Sequence, residues 1–185
     1  GLARALTDRE QRAIVTALKR GVGLVSFDPC LARDATSLAQ ALGVISPGSD
    51  TLCSAVLTVE NDVFLTYTRR VGHELPLIRP VPLFPATVDG AQVPLLSQHR
   101  DPVLVAGRRE AGRFVLWCLS PRVWLNDYLG HADGLDDVFW RSLVWAAAKP
   151  FVMKAMPPFV TVRLDDCQGI GGLWWNVQQC LAREP

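Results

Sequence analysis

The sequence predicts an α/β fold, and three stretches carry the prediction. A helix with start and stop signals runs into "VGLVSF" (22–27), an almost continuous apolar run of the kind buried on both faces in a parallel sheet. Two apolar runs, 103–106 and 113–119, flank a polar turn with Gly107 and Gly112 and read as a hairpin near residues 103–119. A further helix, "LDDVFWRSLVWAAAKP", is apolar on nearly every face and so should be covered by other elements.

Taken in order, Thr7-Asp8-Arg9-Glu10 has capping-box spacing and should start the first helix. Ala13, Ile14, Ala17 and Leu18 form its apolar stripe, Lys19 and Arg20 suit the negative end of the dipole, and Gly21 can take the left-handed position beyond it. After the 22–27 strand, "DATSLAQALG" reads as a short helix closed by Gly43, and "SPGSD" as loop. Strands are expected at 55–59 and 63–67, joined tightly by Glu60-Asn61-Asp62. Prolines 76, 80, 82, 85, 94 and 102 hold the next stretch extended and off the centre of any sheet, so it reads as surface. The hairpin follows, then the apolar helix, with Asp136 or Asp137 as cap and early-turn acid and Pro150 as stop. Pro157-Pro158 reads as a linker, "FVTVRL" as a strand and "GLWWNVQQCLARE" as a last helix.

At 185 residues the chain has length for one good core with an appendage. Lys plus Arg number 19 against 18 Asp plus Glu, mixed along the chain, which gives no electrostatic footprint for nucleic acid or an anionic membrane. Charges interrupt the longest apolar runs before they reach the length of a membrane span. Cys30, Cys53, Cys118, Cys167 and Cys180 contain no C-x-x-C pair, and their odd number and wide spacing suit reduced thiols better than a disulfide framework, with two bridges open as the alternative; the compartment stays open. The chain opens on Gly1 and stops at "CLAREP", and is read as a piece of a longer protein.

"GVGLV", "GRFVLWCLSP" and "FWRSLVWAA" together resemble the later half of a class I glutamine amidotransferase-like domain. The likeness is to the branch that includes trehalose-utilisation-like proteins and β-galactosidase trimerisation domains. It covers about residues 1–150 and rests on packing patterns. It implies a three-layer flavodoxin-like sandwich with a mostly parallel sheet, whose first strands would precede Gly1 and whose crevice lies beyond the strands' carboxyl ends. Residues 151–185 look like the start of a polysaccharide deacetylase-like domain, with Arg163-Leu164-Asp165-Asp166 where that family carries its T-F-D-D motif.

The deacetylase resemblance implies Asp165 as general base and Asp166 as ligand of a divalent metal such as zinc, an arrangement that lowers the pKa of bound water and removes its proton. The family completes the metal site with a His-x-x-x-His motif, which His73, His99 and His131 do not form. Asp165 and Asp166 equally suit a helix cap or a pair with Arg163. The amidotransferase resemblance offers Cys30 as nucleophile with His131 and Asp133, but Asp28-Pro29-Cys30-Leu31-Ala32 lacks the glycines of the nucleophile elbow. His73-Glu74 reads as a solvated loop pair. Among the tryptophans, Trp140 and Trp145 read as core, whereas Trp124, Trp174 and Trp175 are the candidate sugar-binding platforms.

Together these readings point to a non-catalytic accessory or assembly domain of a carbohydrate-active protein, with a carbohydrate ligand and either a second copy or a neighbouring domain as partners. The alternatives are part of a metal-dependent deacetylase using Asp165 and Asp166, and a thiol hydrolase or amidotransferase using Cys30. No cofactor is expected within these residues themselves.

Overall fold

A computed structural model describes residues 6–46, 52–67, 69–125, 127–128 and 135–148, all within the unit Gly1–Pro150 into which the chain divides. The expected deacetylase-like start at 151–185 lies outside the described residues.

Helix α1 spans Asp8–Lys19. Thr7 Oγ1 accepts the Glu10 N–H at 3.3 Å and the Glu10 carboxylate accepts the Thr7 N–H at 2.8 Å, which satisfies two of the helix's orphan donors. At its other end Gly21 takes φ 93°, and the Gly21 and Val22 N–H groups donate to the carbonyls of Leu18 and Ala17 at 2.9 and 3.1 Å, a Schellman motif. Strand β1 (Leu24–Ser26) follows, then α2 (Leu31–Asp34) and α3 (Thr36–Ala41), broken apart at Ala35 where φ is −126° and ψ 60°. The remaining elements are β2 (Val44–Ile45), β3 (Leu52–Val59), a 3₁₀ turn (Phe64–Thr66), β4 (Glu74–Leu83), β5 (Thr87–Val88), β6 (Gln92–Ser97), β7 (Pro102–Arg109), β8 (Gly112–Trp117), a second 3₁₀ turn (Pro121–Trp124) and α4 (Asp136–Ala146).

The sheet order overturns the expected flavodoxin-like parallel sandwich. Six strands lie in the order β1-β8-β7-β6-β3-β4, and in that sheet only β1 and β8 run parallel, with Leu24 opposite Phe114 and Ser26 opposite Leu116. The other four pairings are antiparallel. Connectivity explains the difference. Parallel neighbours need a crossover, usually helical, and among the described residues no α-helix separates β3 from β8; turns and loops join these strands and set them antiparallel. The sheet then curls into a half-barrel: Leu83 at the end of β4 bridges Leu119 just past β8. Phe84 N–H donates to the Cys118 carbonyl and Ser120 N–H to the Pro82 carbonyl, both at 2.8 Å.

Curling accounts for the apolar runs. Val103, Leu104, Val105 and Ala106 of β7 are all 0 % exposed, so the strand is buried on both faces although its neighbours are antiparallel. Around β1 the layering is explicit. A Cβ on Gly23 would fall on the Ala146 carbonyl, and Phe27 stacks on Phe139, so this side of the strand faces α4. Leu24 and Ser26, of the opposite parity, line a cavity with Ile14 of α1 and Leu38 of α3.

Three further expectations are corrected. In place of the strand expected at 63–67 there is the 3₁₀ turn Phe64–Thr66, where the Thr66 hydroxyl donates to the Asn61 carbonyl at 2.6 Å and accepts the Val63 N–H at 3.3 Å. The proline-rich stretch read as surface supplies edge strand β4 and interior strand β6; Pro94 sits in the register break between Gln92 and Leu95, and its carbonyl takes the Glu60 N–H at 2.9 Å. Helix α4 has Leu135 and not an aspartate at its N-cap, without a side-chain hydrogen bond, while Asp136 and Asp137 are its first-turn acids as expected.

Candidate functional site

The carboxyl ends of β1 and β8, the parallel pair, are where an α/β crevice would place its chemistry. Here they carry packed aromatic rings. Phe27, just after β1, stacks on Trp117 at 6.2 Å and on Phe139 of α4 at 4.9 Å. Trp124, from the 3₁₀ turn after β8, meets Trp117 and Phe139 edge-on at 5.2 and 5.4 Å. Such contacts are each worth ~1 kcal/mol beyond area burial, and they make Trp124 a half-buried member of the cluster. Trp117 is 2 % exposed, and its indole Nε1 has no hydrogen-bond partner among the described residues.

Beside this cluster the chain turns through Asp28 and Pro29 to Cys30, the residue before α2. Ser26 Oγ accepts the Asp28 N–H at 3.2 Å, and Asp28 Oδ1 accepts the Cys30 N–H at 3.0 Å. The Cys30 carbonyl accepts from Arg33 and Asp34 N–H. The backbone of Cys30 is thus committed to closing a turn. Burial pushes the Cys30 thiol pKa up, and the Asp28 and Asp34 carboxylates push the same way against the lowering pull of Arg33. Arg33 in turn holds Asp34 by two hydrogen bonds of 2.7 and 3.1 Å, which lowers that carboxyl below its ordinary range, and its guanidinium lies 5.9 Å from the Phe84 ring centre.

The other predicted residues are dispersed. His131, Asp133, Asp165, Asp166, Trp174 and Trp175 lie outside the described residues. His73 and Glu74 are exposed at the start of edge strand β4, and His99 lies in the β6–β7 turn, its Nε2 3.1 Å from the Gln98 amide nitrogen. Among the described residues no group of three or more His, Cys, Asp or Glu side chains is placed to hold a metal ion. No described helix is long and apolar enough to cross a membrane.

Trp140, expected in the core, is 63 % exposed, because α4 turns that side outward. Tyr67 is 72 % exposed, and Arg141 lies over the Phe64 and Tyr67 rings at 5.2 and 5.4 Å. Periodicity could not single out Trp140 on a helix apolar all round.

No family model matches the chain, and no curated protein matches it. Among solved structures it is similar to cytoplasmic protein STM3548 from Salmonella typhimurium, with TM-score 0.53 and 18 % identity, over 77 % of this chain and 62 % of that one. Cytoplasmic protein STM1381 from Salmonella typhimurium LT2 follows at TM-score 0.49 and 17 % identity, over 74 % and 60 %. The exo-beta-1,4-mannosidase Op5Man5 from Opitutaceae bacterium strain TAV5 gives TM-score 0.43 and 13 % identity, over 75 % and 23 %. The first of these shares the fold, at an identity that speaks for fold alone. This chain spans about three fifths of the two Salmonella chains.

Proposed function

We propose that this α/β unit is a non-catalytic accessory or assembly domain of a carbohydrate-handling protein. The observation that supports this most is the setting of Cys30. A catalytic thiol works as a thiolate, next to a base and beneath free backbone donors. Here burial, against the pull of the neighbouring Arg33, favours the protonated thiol, and the Cys30 N–H is taken by Asp28. Phe27, Trp117, Trp124 and Phe139 pack against one another at the mouth of the parallel strands.

The carbohydrate part of the reading is supported by the exposed rings of Trp140 and Tyr67, flat apolar faces of the kind that the C–H face of a pyranose can cover. To test the whole reading, purified protein, Cys30→Ala and Asp165→Asn are assayed for ammonia release from glutamine and acetate release from acetylated oligosaccharides. The expected rates match buffer for all three proteins. Turnover that either substitution abolishes overturns the reading. Retardation in gels cast with soluble polysaccharide, weakened in Trp140→Ala, is expected for the carbohydrate part; equal mobility with and without polysaccharide removes it.

A further inference from the structure

The turn between β5 and β6 is tied to the far end of α3 through the main chain of one residue. The Asp89 N–H donates to the Gly43 carbonyl at 2.7 Å, and the Asp89 carbonyl accepts from Arg109 Nη2 at 3.1 Å. Arg109 is itself fixed by the bonds it donates to the Ala41, Leu42 and Arg108 carbonyls. The next peptide is unengaged. Among the described residues the Gly90 N–H donates to no group, and the Asp89 carboxylate makes no hydrogen bond or ion pair. Asp89 and Gly90 are both exposed, Gly90 has φ 66°, and no atom lies within 4 Å of where its Cβ would stand.

We propose that Asp89-Gly90 is a site of spontaneous backbone modification, at which Arg109 promotes conversion of the aspartyl linkage to an isoaspartyl one. In the first step the Gly90 nitrogen attacks the carboxyl carbon of Asp89. The N–Cγ bond forms, the Gly90 N–H proton and one carboxyl oxygen leave as water, and a five-membered succinimide results. As the nitrogen gives up its proton, negative charge gathers on the Asp89 carbonyl oxygen, the atom to which the Arg109 guanidinium already donates. A fixed cation aimed at developing charge is the usual means of lowering such a barrier. Glycine at position 90 leaves the nitrogen open to approach. In the second step water adds to the ring carbon that was the Asp89 carbonyl, and the bond from that carbon to the Gly90 nitrogen breaks. The oxygen held by Arg109 then belongs to an α-carboxylate, so a neutral hydrogen bond becomes a charge-assisted one. The chain is one methylene longer between Asp89 and Gly90, in a turn outside both Thr87–Val88 and Gln92–Ser97. Water is the only reagent, and the site does not depend on what the domain binds.

The full chain is incubated for weeks in mildly acidic buffer at physiological temperature, beside a synthetic peptide of residues 84–95. Digests are read by electron-transfer fragmentation, which separates aspartyl from isoaspartyl linkages and assigns them by residue, since Asp133-Gly134 repeats the dipeptide. Isoaspartate should accumulate at position 89 of the folded protein faster than in the peptide, with a succinimide lighter by one water on the way, and Asp89→Glu should abolish both. Arg109→Gln should slow the conversion about tenfold in the folded protein and leave it unchanged in urea. A turn merely loosened by loss of the arginine would convert faster, so the sign separates promotion from restraint. Should Arg109→Gln not fold, Asp89→Asn gives the second reading: it should close the same ring with loss of ammonia, again faster than the matching peptide. Position 89 converting no faster than in the peptide overturns the proposal. So does an Arg109→Gln protein that converts as fast as the parent or faster.

Discussion

The side chain of Gln11, in α1, caps a helix that begins 25 residues later: its Oε1 accepts the N–H of Leu38, third residue of α3, at 3.1 Å. Its Nε2 donates to the Leu6 carbonyl at 3.0 Å, and the residue is only 4 % exposed. The N-cap of α3 is Ala35, which has no side-chain acceptor, so Gln11 supplies from another helix what local sequence does not. Gln11→Ala removes both bonds and strands a buried N–H. It should lower stability by about 1–3 kcal/mol in urea denaturation, with the slope unchanged.

Arg109 plays the corresponding part at the far end of α3. Its Nε donates to the Ala41 carbonyl at 3.0 Å and its Nη2 to the Leu42 carbonyl at 2.7 Å, with Asp89 taking a third bond at 3.1 Å. A planar fork reaches these carbonyls from one side chain, and a lysine ammonium cannot reproduce it. Arg109→Lys should therefore cost about 1–2 kcal/mol despite conserved charge, read from the same denaturation curves.

These two contacts mark the boundary of what the sequence reveals. The α1 capping box and Schellman turn were legible because each is settled by residues within six positions. The β7–β8 hairpin was legible for the same reason, two apolar runs around Glu110-Ala111. Strand direction was not. The run Val103–Ala106 is apolar at every position, ordinarily the mark of a parallel strand, and here it reflects an antiparallel sheet curled enough to bury both faces. β6 was hidden by Pro94, which a register break accommodates. At the candidate site, the missing glycines around Cys30 were visible in sequence. The exchange of roles between Trp124, packed among rings, and Trp140, turned outward, depends on neighbours distant along the chain.

Cys118 gives the stability of the fold a pH dependence of known sign. Burial alone raises its pKa to about 12 from 9.0. The unfolded chain therefore gives up this proton at lower pH than the folded one. The stabilisation is complete below pH 9, and it is lost as pH rises through the interval from 9 to about 12. Thermal unfolding followed from pH 8 to pH 11 should show the midpoint falling. Cys118→Ala should start lower, because it leaves a cavity, yet fall less steeply. Parallel slopes for the two proteins would remove Cys118 as the source.

The approach of α4 to β1 is set at Gly23. Any Cβ there would meet the carbonyl oxygen and carbon of Ala146, backbone atoms that cannot rotate aside. Gly23 does not have positive φ, so a substitution tests the close packing of helix and strand without adding backbone strain. Gly23→Ala should force the last turn of α4 outward and loosen the stacking of Phe27 on Phe139, which belongs to the same contact. The expected loss is about 1–3 kcal/mol, as for other overpacked sites. Aromatic circular dichroism should weaken at temperatures where the far-ultraviolet signal is intact, because ring packing changes while the helix persists. Gly72→Ala is the informative comparison: Gly72 has φ 80° and open space around it, so its cost comes from backbone conformation and should leave the aromatic signal untouched. If both variants lose stability without altering the aromatic spectrum, the contact between Gly23 and Ala146 does not hold α4 against the ring cluster.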